Sequence, residues 1–275
     1  MMKTILNRYP KEKIQTLETT AFGGRIFVVE TEEDAEKAVD YLLSQGMVGL
    51  DTETKPTFKK GDFHKVALLQ ASSEDTCFLF RLNKTGVPDC VVRLLTDPEL
   101  LRIGLSWHDD SLQLHHRRDF KMGGYVELQT LAGMLGVEDK SLQKLYANIL
   151  GKKINKSQQL SNWEADTLTD KQQLYAATDA WACIQLYREM QKMREEGYEL
   201  TVLPTPEPTL PMQPAEGENS GEDTQKKKRK PAAKKTRKKK TKKAEAEKKD
   251  GEKDENKAET ENKDEGETPT TKAAS

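Results

Sequence analysis

The sequence predicts an α/β domain with a mixed sheet flanked by helices, followed by a disordered C-terminal tail. Three observations carry this. Two short apolar runs, KVALLQAS (65–72) and TCFLF (76–80), are joined by Ser-Glu-Asp in the manner of a hairpin. Strand-like and helix-like patterns then alternate along the chain, which is the signature of an α/β architecture. From Pro204 onward no aromatic residue occurs and only Leu210 and Met212 are large aliphatics, so this part cannot bury enough apolar surface to offset the entropy of ordering. The chain therefore divides into a folded domain over residues 1–203 and a tail over residues 204–275.

The elements follow in order. GRIFVVE (24–30) reads as a strand, after which Thr31 with Asp34 three residues on marks the start of a helix to about Gln45, stopped by Gly46. MVGLDTE (47–53) is the next strand, and the hairpin runs follow a polar loop. PDCVVRLLTDPEL (88–100) is helical, LRIGLSW (101–107) a strand, and DDSLQLHHRRDF (109–120) a helix beginning where that strand ends. From ELQTLAGML (127–135) onward the pattern is helical, interrupted by the Gly- and Lys-containing loop GKKINKSQQLSNW (151–163). The last helix opens at Thr169 with Gln172 in capping-box position and ends near Gly197. Leu174, Ala177, Trp181 and Ile184 have the helical spacing of a core stripe.

Charge is patterned rather than absent. The formal net charge of −1 conceals residues 226–243, with 13 Lys or Arg in 18 positions and no acid, and residues 244–267, with 11 acids against 5 Lys. A basic block followed by an acidic one reads as a tail that touches polyanions and shields itself. Cys77, Cys90 and Cys183 lack metal-site spacing and read as reduced core thiols of an intracellular protein. No run of 18 apolar residues and no signal-peptide pattern occurs, so no membrane span is expected. A cytoplasmic location is expected, with nuclear import through KKKRK as the alternative.

The chemistry lies in the acids. VGLDTETKP (48–56) is an apolar strand that ends in Asp51 and Glu53. Residues two apart on a strand share a face, about 6–7 Å apart. Two such carboxylates beside a low-dielectric core repel, so that either one is protonated or a cation lies between them. A solvated strand end is the simpler alternative. YAATD places Tyr175 and Asp179 one helical turn apart on one face, next to core residues. Asp109 and Asp110 follow IGLSW, and either could be only a helix N-cap. A set of carboxylates without paired Cys or His suits Mg²⁺ or Mn²⁺ rather than zinc. Two such ions, about 3.5–4 Å apart, can clamp a phosphodiester during in-line displacement.

The runs VGLDTETKPTFKKGDFHKVALLQ, RIGLSWHDDSLQL and KSQQLSNWEADTLTDKQQLYAATDAWA, taken together, resemble the 3'-5' exonuclease domain of the DEDDy group, with ribonuclease D and the Werner-type exonuclease domain as relatives. The resemblance spans roughly residues 24–190. Asp51 and Glu53 match its DxE motif, and Tyr175 and Asp179 its YxxxD motif. Asp110 matches the second-motif aspartate, with Gly104 six residues before it and Leu114 four after. The resemblance implies the ribonuclease H-like (DnaQ-like exonuclease) fold and hydrolysis from a 3' end of DNA or RNA with release of nucleoside 5'-monophosphates. It further implies two divalent ions, bridged by Asp51. Glu53 and Asp179 would hold the ion that generates hydroxide, and Asp110 would support the other largely through water. Tyr175, whose phenol has a reference pKa of about 10, would orient the attacking water as a hydrogen-bonding partner.

Further residues have two readings each. Lys156, Ser157, Asn162 and Trp163, in the KSQQLSNW run, either border a nucleic-acid cleft or, for Trp163, anchor the loop. Lys59, Lys60 and Lys65 either contact phosphate or serve solubility. His108, His115 and His116 are not needed by an oxygen-ligand site and are read as surface or packing residues. Glu127 stands where relatives often have Asp, a departure outside the metal motifs. The competing function is a nucleic-acid-binding scaffold that kept the fold and lost catalysis. All four motif acids are present, which favours the enzyme.

Overall fold

The computed structural model describes residues 2–204. In chain order the elements begin with β1 (Lys3–Leu6), α1 (Lys11–Ile14), β2 (Arg25–Val29), α2 (Glu32–Leu43) and β3 (Met47–Glu53). The hairpin strands β4 (Leu68–Ser72) and β5 (Thr76–Phe80) are followed by α3 (Leu82–Thr85) and α4 (Asp89–Thr96). Next come β6 (Leu101–Gly104), α5 (Trp107–His115), β7 (Tyr125–Glu127), α6 (Leu128–Met134) and α7 (Leu142–Leu150). The described part closes with α8 (Asp170–Glu196) and β8 (Tyr198–Thr201). The expected tail, from residue 204 on, lies outside the described residues apart from Pro204.

Six strands form one mixed sheet in the order β2-β5-β4-β3-β6-β7. β4 runs antiparallel to both its neighbours, β3 and its hairpin partner β5, and the remaining pairs are parallel. Every residue of β4 is buried, which explains why its run is continuously apolar apart from Gln70 and Ser72. One face of the sheet is covered by α2, α4 and α5 through Leu42, Val91, Leu94, Trp107 and Leu114. The other is covered by α8. That helix begins with a reciprocal capping box: the Thr169 hydroxyl accepts from Gln172 N, and Gln172 Oε1 accepts from Thr169 N. A cap of this kind stabilises a helix by about 1 kcal/mol.

Four local expectations need correction. The run LRIGLSW is a strand only to Gly104. A Cβ on Gly104 would lie 2.8 Å from Trp107 Cβ, so the chain can double back there, with Ser106 at φ +58°. The helix consequently starts at Trp107, and neither Asp109 nor Asp110 is its N-cap, a position held by Ser106. Leu174 is 40% exposed and does not belong to the core stripe that Ala177 and Ile184 form. Glu127 ends a short strand that the helical pattern of ELQTLAGML conceals. The parallel pair β1–β8, which joins the first and last described strands, had no signal in either short segment. No helix among the described residues is long and apolar enough to cross a membrane.

Candidate active site

Asp51 and Glu53 stand on β3 where it runs out of the sheet, on the face turned to α8. Gly49, two residues earlier on the same face, lets that helix come close: a Cβ there would lie 2.0 Å from Ala180 O. The neighbour of Ala180 is Asp179, so this approach delivers the third carboxylate. Oxygens of Asp51, Glu53 and Asp179 all lie within 4.8 Å of one another. Directly opposite Asp51 on β4 is Gln70, whose buried amide has no hydrogen-bond partner.

Asp110 arrives from the other side of the sheet on α5. Its Oδ1 accepts a 2.5 Å hydrogen bond from the Thr52 hydroxyl, whereas Asp109 is exposed. This contact distinguishes the adjacent acids: Asp110 touches the strand that carries Asp51 and Glu53, and Asp109 faces solvent. The start of α5 is pinned by Glu127, whose carboxylate accepts from Ser106 N at 2.9 Å, Trp107 N at 2.8 Å and Gln129 N at 3.0 Å. Glu127 thus positions Asp110 through the helix it caps. The sequence held a hint of this only in its departure from Asp, because the contact depends on the β6–β7 pairing.

Burial and mutual repulsion dominate the electrostatics. Burial holds Asp51 well above the usual carboxylate range, with Asp110, Asp179 and Glu53 adding to the rise. Burial, then Asp179 and Asp110, push Glu53 up to about 9. Asp179 rises to about 7 through burial, against the Tyr175 hydrogen bond and the charge of Lys156. Asp110 rises to about 6, again through burial, with the Thr52 bond opposing. Asp179 Oδ1 is buried without a hydrogen-bond partner. Crowded, desolvated carboxylates with an orphaned oxygen are a poor arrangement for the protein alone. They fit a hard divalent cation, which favours oxygen donors.

Tyr175 is nearly buried, and burial followed by the charges of Asp179 and Glu53 raises its phenol above the ordinary value, so it stays protonated beside Asp179. Trp163 is 0% exposed and packs against Tyr175 with ring centroids 6.0 Å apart. Its expectation as a nucleic-acid contact is therefore corrected: no ring face is free to stack on a base, and it anchors the loop that backs Tyr175. Lys156 does line the carboxylate cavity, a space of about 320 Å³, together with Ser106, Lys140 and Gln159. Lys140 had no motif to mark it, and Gln159 lies in the KSQQLSNW run without having been singled out there. Lys65 and Asn162 are exposed and outside that lining. His115 meets Phe120 O at 2.7 Å and His116 meets the edge of Phe63, which are packing roles; His108 is exposed.

This arrangement belongs to a class of α/β nucleases. Among solved structures, the exonuclease domain of Aedes aegypti Nibbler aligns with TM-score 0.57 at 20% identity, covering 63% of this chain and 91% of that one. Escherichia coli ribonuclease D aligns with TM-score 0.56 at 18% identity over 62% of this chain and 45% of its own. The fold is therefore the exonuclease fold that the motifs imply. At the level of sequence, the family described as 3'-5' exonuclease matches residues 26–195, and the chain belongs to that family. The mouse bifunctional 3'-5' exonuclease/ATP-dependent helicase WRN is 35% identical over 159 residues, which are 55% of this chain and 11% of that protein. An Arabidopsis thaliana 3'-5' exonuclease is 29% identical over 208 residues, 69% of this chain and 72% of its own length.

Proposed function

We propose that the protein hydrolyses phosphodiester bonds one nucleotide at a time from the 3' end of DNA or RNA, releasing nucleoside 5'-monophosphates. The observation that carries this is the meeting of three acids from β3 and α8 around one cavity, beside a protonated tyrosine, with Asp110 of α5 held next to them by the Thr52 hydroxyl. Asp51, Glu53 and Asp179 would hold one divalent ion, and Asp51 with Asp110 a second, either Mg²⁺ or Mn²⁺. Such a pair supplies the Lewis acidity that activates water and steadies the leaving oxygen.

The chain's own residues do the rest. The Tyr175 hydroxyl lines the same cavity as Asp179 and orients the attacking water by hydrogen bonding, because its proton is too tightly bound for it to act as a base. Lys156 brings positive charge to the cavity that receives the phosphate. The Thr52 hydroxyl fixes the Asp110 carboxylate close enough to Asp51 and Glu53 for its charge to act on both. Three buried free thiols accord with a reducing, cytoplasmic setting, with the nucleus as the alternative address of KKKRK.

Digestion of end-labelled single-stranded DNA, recessed duplex and RNA with Mg²⁺, Mn²⁺ or chelator tests the proposal. Stepwise loss from the 3' end, abolished by chelator, is expected. Asp51→Asn is expected to lose turnover while its melting curve and nucleic-acid binding persist. Near-normal activity in that variant would remove the mechanism.

A further inference from the structure

We infer that the β3–β4 loop is a stacking lip that holds the last few bases of a single strand as its 3' end enters the carboxylate cavity. The inference rests on the reading of the site as one that takes nucleic acid, and adds which part of the strand is gripped and by what.

The loop hangs from the site itself. β3 ends at Glu53, β4 begins at its cross-strand partner Leu68, and Ala67 N donates to Glu53 O at 2.8 Å, so both ends of the loop close on a proposed metal ligand. Its stem is fastened to both walls of the site. Lys55 Nζ and His64 Nδ1 meet the Glu164 carboxylate at 3.2 and 3.1 Å, next to the Trp163 that backs Tyr175. Phe63 meets the ring of His116 at 5.2 Å, just beyond the helix that carries Asp110.

The composition of the loop is unusual for a solvated turn. Between Thr54 and Val66 it has Lys55, Lys59, Lys60 and Lys65 against the single acid Asp62. Two phenylalanines stand among them, Phe58 at 82% and Phe63 at 61% exposure. Phe58 has no aromatic partner among the described residues. Scattered exposed apolar residues need no explanation. Two aromatic rings alternating with lysines on a loop that springs from the strand bearing Asp51 and Glu53 do, because water solvates such rings poorly and the adjacent Lys59 and Lys60 repel one another until a polyanion arrives. Aromatic faces offer every base a sequence-independent stacking surface, and flanking lysines track the backbone.

The reach is short. Phe58 is five residues from Glu53, at most about 17 Å of extended chain. Stacked nucleotides rise about 3.4 Å each, so the lip can touch only about the last five. Paired bases keep their faces covered by their neighbours, so the lip favours an unpaired 3' end.

The test uses the full-length chain carrying Asp51→Asn, with binding of fluorescent ten-nucleotide oligo-dT and oligo-U followed by anisotropy at fixed salt. Phe58→Ala and Phe63→Ala are each expected to weaken binding on the order of tenfold, the scale of one lost base–aromatic stack. Phe58→Trp should restore it, whereas Phe58→Leu, apolar but without a π face, should not. Met134→Ala, which removes an equally exposed apolar side chain on α6, should bind as the parent does. Lys59→Gln with Lys60→Gln should flatten the salt dependence by about 0.7 per charge, a slope that the Phe variants leave alone.

Unchanged affinity in both Phe→Ala variants overturns the inference, as does rescue by Leu equal to that by Trp. So does equal weakening on a blunt duplex. Failure of the unmutated protein to release nucleotides from any substrate, with the Phe-dependent binding intact, would overturn the proposed activity and leave the lip standing. Normal release with Phe-independent binding would do the reverse.

Discussion

At the scale of the residue, the adjacent pair Asp109 and Asp110 is the sharpest case. They have the same chemistry and sit side by side, yet one is exposed and the other accepts the Thr52 hydroxyl at 2.5 Å. Asp110→Asn is expected to lower kcat on the order of a hundredfold or more, the scale of lost metal support, while Asp109→Asn leaves it within about twofold. Steady-state rates on one labelled oligonucleotide check the ranking, and the opposite order would show that the second motif belongs to Asp109. The sequence made the pair visible and the spacing from Gly104 chose between them. It could not show that Trp163 is sealed beneath the loop, because a tryptophan beside polar residues looks the same whether it faces a base or Tyr175.

Among the elements, β3 and α8 are joined by an absence. Gly49 reads in the sequence as an ordinary interruption of an apolar run; in the fold it is the place where helix backbone meets strand backbone. Gly49→Ala must push α8 outward, because the atom in the way is a carbonyl oxygen rather than a mobile side chain. Overpacking of this kind costs about 1–3 kcal/mol. A displacement near 1 Å at a reacting centre costs about a hundredfold in rate. The variant is expected to fold with a lowered Tm and to lose kcat far more than KM. A normal kcat with a lowered Tm would mean that Asp179 does not depend on this approach. The strands and helices that alternate with clear period were legible, as were the caps at Thr31 and Thr169. The short pieces β1, β7 and β8 were not, since strands of three or four residues are fixed by their partners rather than by their own pattern.

Over the whole molecule, the unbalanced acids make stability depend on pH and metal. Glu53, Asp179 and Asp110 bind protons more tightly folded than unfolded, with folded values of about 9, 7 and 6 against ordinary values of 4.5, 3.8 and 3.8. Their contribution to stability is full below the ordinary values and is lost as pH rises through the folded ones. Metal-free protein is therefore expected to melt at falling temperature from about pH 5 to about pH 9. Mn²⁺ should raise Tm by an amount that grows over the same window, as the ion takes the place of protons. Melting curves with and without chelator check this, and an ion-induced shift independent of pH would count against carboxylate ligation.

The basic block of residues 226–243 belongs to the same scale. A chain ending at Leu203 keeps the described closure, in which Leu203 N donates to Asn7 Oδ1 at 2.8 Å. It is expected to bind nucleic acid more weakly at low salt and with a shallower salt slope, while turnover at saturating substrate holds. Anisotropy titrations at several salt concentrations decide the first part, and a collapse of saturated turnover would place the tail within the active site.

The order of the ligands along the chain has a consequence for synthesis. Asp51, Glu53 and Asp110 emerge early, but Asp179 and Tyr175 lie on α8, the last helix of the described domain, and β8 must then return to β1. A nascent chain stopped before residue 170 would have much of the sheet and three of the four acids, but neither the tyrosine nor the carboxylate that closes the cluster. The domain is therefore expected to gain hydrolytic power only once α8 has been made, and a message broken upstream of the α8 codons should yield a protein without it.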